Sequence, residues 1–411
     1  MNSKSTPVSS KTIYFWNTLG GLLNAVFSVI IMMILTRLLN IYAAGIFSLG
    51  YSNAMMLQHI GSFDSRSYQC SCFEDDLKFG HFLNFRIFTS FLMLLGTIIL
   101  IWFFQYPADK LFATLLLSVF CISANISDIF QGNAQKKERL DLSGKSLSYR
   151  IILCVLVFTV SLYLTRNLTF TLLCIVVTSF LWIFIYDVPV LSLHEQIYSS
   201  VSKAQFKKLF FNTFPLFLSL FAQIFIFNMP KYAIDSYLSV QEQGVYGIIF
   251  MPASIVSLFA TFLYRPIMVK LSILWEKKKI KSVIKLSFER IALLIASTFL
   301  IVIAGYLLGT QILSILYGVD ILPYKKELVI LLIGGGFSGI SVLLYYLITI
   351  VHKQKWMVVG YYLILVISYF VDYSFVKSFG LLGASFSYLF AVTLLDLILF
   401  LILGIVFCKR K

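Results

Sequence analysis

The sequence predicts an all-α, polytopic membrane protein: about twelve transmembrane helices in two six-helix bundles, with both termini cytoplasmic. Three observations carry that prediction. Of 411 residues, 59% are hydrophobic, about twelve times the roughly 20 apolar residues that one spanning helix requires. Only 12% are charged, against about 25% in soluble domains, and the mean hydropathy is +0.90. The basic residues, finally, fall almost entirely on one side of the alternating connections. Together these exclude a water-soluble globular protein and a disordered chain. The net charge of +15 does not mark a nucleic-acid binder, because no basic domain lies outside the apolar segments.

Taken in order, the apolar segments are about 12–36, 41–63, 82–104, 111–131, 147–165, 168–190, 209–230, 244–264, 288–309, 327–350, 356–376 and 380–407. With the N-terminus inside, the cytoplasmic connections and helix ends hold 26 Lys and Arg. Lys136, Lys137, Arg139, Lys145 and Arg150 follow span four, and Lys277, Lys278, Lys279, Lys281 and Lys285 follow span eight. The outside holds 7: Arg37, Lys110, Arg166, Lys231, Lys325, Lys326 and Lys377. The positive-inside rule then sets both termini in the cytoplasm and favours an even number of spans. The first eleven residues are polar, and the apolar run behind them is too long for a cleavable signal, so span one reads as a retained signal-anchor.

Weak internal similarity supports two halves, residues 1–205 and 206–411, joined by a polar, basic connection at about 191–208. Asn17-Thr18 opens span one and Asn212-Thr213 opens span seven. Gly45-Ile46-Phe47-Ser48 and Gly244-Val245-Tyr246-Gly247 open spans two and eight. Chance recurrence is the alternative. Parallel repeats of six spans are related by an axis along the membrane normal, and transporters place substrate between such halves.

No connection exceeds about 25 residues, which leaves no room for a soluble catalytic, nucleotide-binding or ligand-gating domain. The run Gly334-Gly335-Gly336-Phe337-Ser338-Gly339 lies inside span ten without a following Lys-Ser/Thr, so it is no phosphate loop. Its small-xxx-small spacing predicts close helix packing or a flexible point. Pro215, Pro230, Pro252 and Pro266 fall in or at the ends of spans seven and eight and predict bent helices there. Cys70 and Cys72, with His59 and His81, lack structural zinc spacing; no metal and no cofactor is expected.

Charges near the bilayer centre cost from about 3 kcal/mol upward, so each is a functional candidate by default. Asp128 lies late in span four near Gln131, Asp187 near the end of span six, Asp372 in span eleven and Asp396 in the middle of span twelve. Asp396 fits two readings: a structural hydrogen-bonding residue, or a proton or sodium site. Arg37, Lys231, Arg265 and Asp187 are close enough to span ends to snorkel to head groups instead. The lysine cluster at 277–285, interspersed with apolar residues, reads as an amphipathic helix on the cytoplasmic leaflet, attracted to anionic lipid.

Several stretches carry a family resemblance. LGGLLNAVFSVIIMMILTRLLNIYAAGIFSLG (19–50), IGSFDSRSYQ (60–69), DIFQGNAQKKERLDLSGKSLSYR (128–150) and NMPKYAIDSYLSVQEQGVYGIIFMPA (228–253) resemble the polysaccharide flippases of the multidrug/oligosaccharidyl-lipid/polysaccharide (MOP) exporter superfamily, in their O-antigen and capsular branch. The resemblance covers most of the first 270 residues and is carried by four motifs in order. It implies a MATE-like fold of two six-helix bundles around a central cavity, in the bacterial plasma membrane. It implies a flippase, not an enzyme, that moves a polyprenyl-diphosphate-linked oligosaccharide from the cytoplasmic to the outer leaflet. The implied partners are that lipid-linked substrate, H+ or Na+ as coupling ion, membrane lipids and a polysaccharide polymerase, with no nucleic acid.

A diphosphate requires cations, for which Arg is well shaped, and sugars require hydrogen-bonding groups. The resemblance therefore nominates Arg37, Arg66, Lys231 and Arg265 as diphosphate or pathway contacts, and Asn17, Asn228 and Gln131 for the sugar. Asp128, Asp372 and Asp396 are the ion-coupling candidates. One departure stands out: a cationic cavity calls for more mid-span Lys or Arg than the segments show, since most basic residues sit at span ends. The rivals are a multidrug or metabolite cation antiporter of the same superfamily, a polymerase or ligase, and a lipid II flippase. The polymerase is disfavoured by the short outer connections, and the lipid II flippase by an expected fourteen spans.

Overall fold

A computed structural model describes residues 10–63, 65–66, 69, 77–137, 139–192, 203–264, 267–351 and 353–409, and their regular structure is entirely helical. In order these are α1 (Ser10–Leu38), α2 (Ile41–Ser62), α3 (Phe79–Phe103), α4 (Ala108–Lys136), α5 (Leu140–Thr165) and α6 (Leu168–Trp182). The last runs on as a π-helix, Ile183–Leu191. Then follow α7 (Lys203–Tyr237), α8 (Val240–Tyr264), α9 (Met268–Glu276) and α10 (Ile280–Ala304). A π-helical turn, Gly305–Gly309, joins α10 to α11 (Thr310–Tyr317), and α12 (Lys325–Ile350) and α13 (Gln354–Lys409) complete the chain.

Every apolar segment read from the sequence falls on one of these helices to within a residue. Eight described stretches are long and apolar enough to cross a membrane. The longest, Lys355–Phe407, holds 53 residues, far more than one crossing needs. It is interrupted at Gly380, whose φ of 58° and ψ of −136° no helix contains. A Cβ on Gly360 would meet Ile398 at 3.0 Å, so the two halves of α13 lie back to back as a hairpin. Among the described residues, α13 taken twice, together with α2, α7 and α8, brings the long helices to twelve. α2 is long enough but carries Ser48, Ser52, Asn53, Gln58 and His59, which lower its hydropathy.

The chain divides into two compact units: Met1–Leu39 with Leu49–Phe221, and Asn40–Ser48 with Ala222–Lys411. In the first, α1 and α5 cross where two glycines meet. A Cβ on Gly20 would sit 3.0 Å from the Gly144 carbonyl oxygen, and one on Gly144 would overlap the Trp16 backbone. In lipid, such close approach of small residues is a main source of helix association. Farther along, Phe63 stacks on Phe217 at 4.6 Å, beside Phe210 and Phe214, in a cluster with Phe82, Phe85 and Phe130.

The second unit is organised around α12. A Cβ on Gly335 would meet the Ala253 carbonyl oxygen of α8 at 2.5 Å, one on Gly336 would meet Thr298 of α10 at 2.5 Å, and one on Gly334 would meet Tyr388 of α13 at 2.7 Å. The glycine run is therefore a packing hub that three helices approach at once. The start of α2 belongs to this unit too: Gly45 packs against Val240, and a Cβ on Gly244 would lie 2.6 Å from the Ile41 carbonyl oxygen. The lysine cluster departs from its sequence reading. Residues 277–285 do not form a helix of their own; α9 ends before them, Lys277–Lys279 turn the chain, and Ile280 starts α10. Leu271 and Trp275 of α9 are instead buried in the core of the unit.

Candidate functional site

Several described polar residues of the first unit lie close to one another. α4 and α5 are joined by a short turn, so residues equally far from it lie at similar depth. Asp128 is eight residues before the end of α4 and Arg150 ten after the start of α5, or about 12 and 15 Å along the helices. Arg86 is seven residues into α3. Arg66 follows α2.

Asp128 is held by two of these arginines. Arg66 Nη1 donates to Asp128 Oδ1 at 2.6 Å, and its Nη2 donates to Gln135 Oε1 at 2.8 Å. Gln135 is two turns along the same face of α4, so one planar guanidinium spans both. Arg86 Nη2 donates to Asp128 Oδ2 at 3.3 Å. The Arg86 side chain is fully buried, while those of Arg66 and Asp128 remain 27% and 31% exposed. Arg66 and Asp128 are thus partly accessible, whereas Arg86 is enclosed.

Behind Asp128 sits a second, incompletely satisfied group. Arg150 is buried, lies within electrostatic reach of Asp128 and Asp187, and leaves Nε and Nη1 without a hydrogen-bond partner among the described residues. Asp187 lies inside the π-helix, completely buried. Its Oδ1 accepts from Ser146 Oγ at 2.5 Å, and its Oδ2 has no described partner. Gln131 Nε2 donates to Ser127 Oγ at 3.1 Å, and Ser127 faces Asp187. Buried ionic groups left this way are costly, and π-helical insertions recur at functional sites. At the turn between α4 and α5, Arg139 pairs with Asp141 through two hydrogen bonds of 2.9 and 3.0 Å. Hydrogen bonding to Asp141 raises the Arg139 guanidinium above its ordinary value.

This arrangement corrects the apparent shortage of mid-span cations. From the sequence, Arg150 falls after span four because span five is started at 147, and Arg86, near the start of span three at 82, counts there among the helix-end cations. The helices start at 79 and 140. Ser143, Ser146 and Ser148 are buried in the first turns of α5, so a serine-rich stretch that reads as a connection is part of the helix. Of the sequence candidates, Arg66, Asp128 and Gln131 are brought together here. Asn17 is exposed on α1 and Arg37 is exposed in its last turn. Arg265 lies outside the described residues.

The candidates of the second unit form no single cluster. Lys231 sits over the Phe250 ring, 5.2 Å from its centroid. Asn228 Nδ2 donates one turn back, to the Ile224 carbonyl oxygen at 3.0 Å. Asp372 is completely buried, near Tyr246. Asp396 Oδ1 accepts from Ser341 Oγ at 2.5 Å, within reach of Tyr264, Tyr361 and Tyr388. Its Oδ2, like the hydroxyls of Tyr264 and Tyr361, has no described hydrogen-bond partner. Among the described residues, neither Asp372 nor Asp396 forms an ion pair, unlike Asp128. No group of three or more His, Cys, Asp or Glu able to hold a metal occurs among them either.

Comparison with known proteins gives a consistent fold. No family profile matches the sequence. The "Capsular polysaccharide biosynthesis protein CapF" of Staphylococcus aureus is 27% identical over 241 residues, 58% of this chain and 60% of that protein. The chain thus spans about 60% of the length of the curated relative it matches. Among solved structures, an inward-facing multidrug resistance MATE family transporter of the MOP superfamily superposes with a TM-score of 0.68 at 13% identity, covering 98% of this chain and 96% of that one. The lipid II flippase MurJ superposes with a TM-score of 0.68 at 16% identity, over 96% and 87% of the two chains. A MOP superfamily transporter from Pyrococcus furiosus gives 0.55 at 13%, over 98% and 96%. These neighbours are membrane transporters and a flippase rather than enzymes, and their fold extends over nearly the whole of this multi-pass chain.

Proposed function

With the fold of MOP superfamily transporters as premise, we propose that this chain is a flippase for polyprenyl-diphosphate-linked oligosaccharide repeat units of an O-antigen or capsular polysaccharide. It would carry them from the cytoplasmic to the outer leaflet of the bacterial plasma membrane by alternating access. The arginine core of the first unit carries this reading. Arg66 and Arg86 bind Asp128, and Arg150, within electrostatic reach of Asp128 and Asp187, has Nε and Nη1 without a described partner; three guanidinium groups beside two carboxylates suit an anionic diphosphate better than a cationic drug. The likeness to a capsular polysaccharide biosynthesis protein supports the same substrate class.

In this reading Arg66 is the accessible diphosphate contact, with Arg37, Lys231 and Arg265 as further contacts along the path. Gln131, Asn17 and Asn228 serve the sugar. Asp128 already has two arginine partners, so Asp372 and Asp396 are the stronger candidates for coupling to H+ or Na+. The two halves, residues 1–205 and 206–411, act as the moving bodies, and a polysaccharide polymerase takes the product on the outer side.

A second reading, a cation antiporter, is favoured by one observation: the buried Asp372 and Asp396 have no cationic partner among the described residues. Deleting the gene separates the two. The flippase reading expects lipid-linked oligosaccharide to accumulate on the cytoplasmic side and surface polysaccharide to be lost. Arg66→Ala should fail to restore it although it inserts normally. Unaltered surface polysaccharide together with new sensitivity to cationic dyes would instead establish the antiporter.

A further inference from the structure

The lysine turn between α9 and α10 has no part in the reading above, and three features of it are unexplained by topology alone. Lys270, Lys277, Lys278, Lys279, Lys281 and Lys285 are all exposed, and none has an ion-pair partner among the described residues. Lys278 adopts φ 55°, a left-handed conformation that glycine or asparagine takes at much lower cost at a helix C-terminus. A lysine there keeps a charge where a glycine would relieve strain. The turn is also rigidly placed. The amides of Lys277, Lys278 and Lys279 donate to the carbonyl oxygens of Ile273, Trp275 and Leu274 at 2.9 to 3.0 Å, while Leu271 and Trp275 anchor α9 in the core.

The setting selects the ligand. The helical stretch that is long and apolar enough to cross the membrane starts at Ile280, but Lys281, Lys285, Glu289 and Arg290 occupy its first eleven residues, so its apolar part begins beyond them and the three lysines lie on the water side of it, toward the head-group layer. Ile273 and Phe288, on either side of the turn, are exposed at 45% and 63% and offer apolar surface to acyl chains beneath a head group. We propose that the turn Lys277–Lys279, with Lys281, is a binding site for the head group of an anionic phospholipid of the bilayer, and that it fixes the second unit to lipids of that charge. Each lysine adds Coulombic attraction that salt screens and a zwitterionic head group does not supply. The site is independent of the cargo that the transporter moves.

The test uses the full chain in detergent, titrated with phosphatidylglycerol, phosphatidylcholine or inorganic pyrophosphate, with thermal unfolding as readout, since a ligand of the folded state raises the unfolding temperature. The wild type should be stabilised by phosphatidylglycerol and not by phosphatidylcholine. Replacing Lys277, Lys278, Lys279 and Lys281 together by Gln should weaken the phosphatidylglycerol response about tenfold or more. Replacing the same four by Arg should retain it. Lys278→Gly, which removes the strain and one charge, should unfold at a higher temperature without lipid yet respond less to it. Equal responses in the wild type and the Gln variant would overturn the proposal, as would equal responses to the two lipids. A response to pyrophosphate alone that matches phosphatidylglycerol would also overturn it, by assigning the site to a free phosphate.

Discussion

Replacing Asp128 by Asn removes the carboxylate that Arg66 and Arg86 share while keeping its shape. The two arginines should feel this unequally. Arg86 is 3.3 Å away with a fully buried side chain, and unit charges at that separation attract by about 5 kcal/mol at an effective dielectric of 20, before desolvation. Breaking a buried pair by removing one partner costs about 3–5 kcal/mol. Asp128 retains 31% exposure, and the Asn carbonyl still accepts a hydrogen bond, so about 2 kcal/mol is expected on this side. Arg66 keeps Gln135 and is 27% exposed, so its share is below about 1 kcal/mol. Asp128→Asn should therefore destabilise the first unit by about 3 kcal/mol, seen as a lower unfolding temperature in detergent. In an Arg86→Met background the same substitution should cost only about 1 kcal/mol, a coupling of about 2 kcal/mol in a double-mutant cycle. Equal costs in the two backgrounds would show that Arg86 and Asp128 do not act as a pair, and the arginine core would lose its organising contact.

Three further outcomes are expected. Arg150→Met should lower the unfolding temperature, because it leaves the buried Asp187 without the cation within its electrostatic reach, and should reduce polysaccharide export about tenfold or more per inserted protein, whereas the double replacement Arg150→Met with Asp187→Leu should recover stability but not export; wild-type export in the double variant would assign Arg150 a structural role. Arg37→Ala and Lys231→Ala should each reduce export with normal membrane insertion, measured by surface polysaccharide against the amount of inserted protein, and full export in both would remove them from the substrate path. Gly335→Ala, whose Cβ would meet the Ala253 carbonyl oxygen at 2.5 Å, should cost about 1–3 kcal/mol by overpacking, whereas Gly21→Ala, with nothing within 4 Å, should be silent in the same unfolding assay.

The spans were legible because lipid imposes a single demand on them: a run of apolar residues long enough to cross. The same logic misplaced their polar ends. Ser143, Ser146, Ser148 and Arg150 lower the hydropathy at the start of α5, yet they are helical and buried, because neighbouring helices and not lipid surround them. The glycine run of α12 was readable as a packing element from its spacing. The Arg66–Asp128 contact was not, since 62 residues separate its members and no periodicity links different helices. For the same reason Asp396 was recognisable as an expensive residue, whereas its neighbours Ser341, Tyr264 and Tyr361 were not.

The break at Gly380 bears on how the chain is made. Its two final spans are joined through a single residue out of helical conformation, so no loop separates them to be threaded across the bilayer first. A connection this short keeps the two halves of α13 packed against each other, as the approach of Gly360 to Ile398 shows. A reporter or protease site inserted at 380 would therefore disturb the packing of the two helices themselves, and not merely lengthen a loop between them.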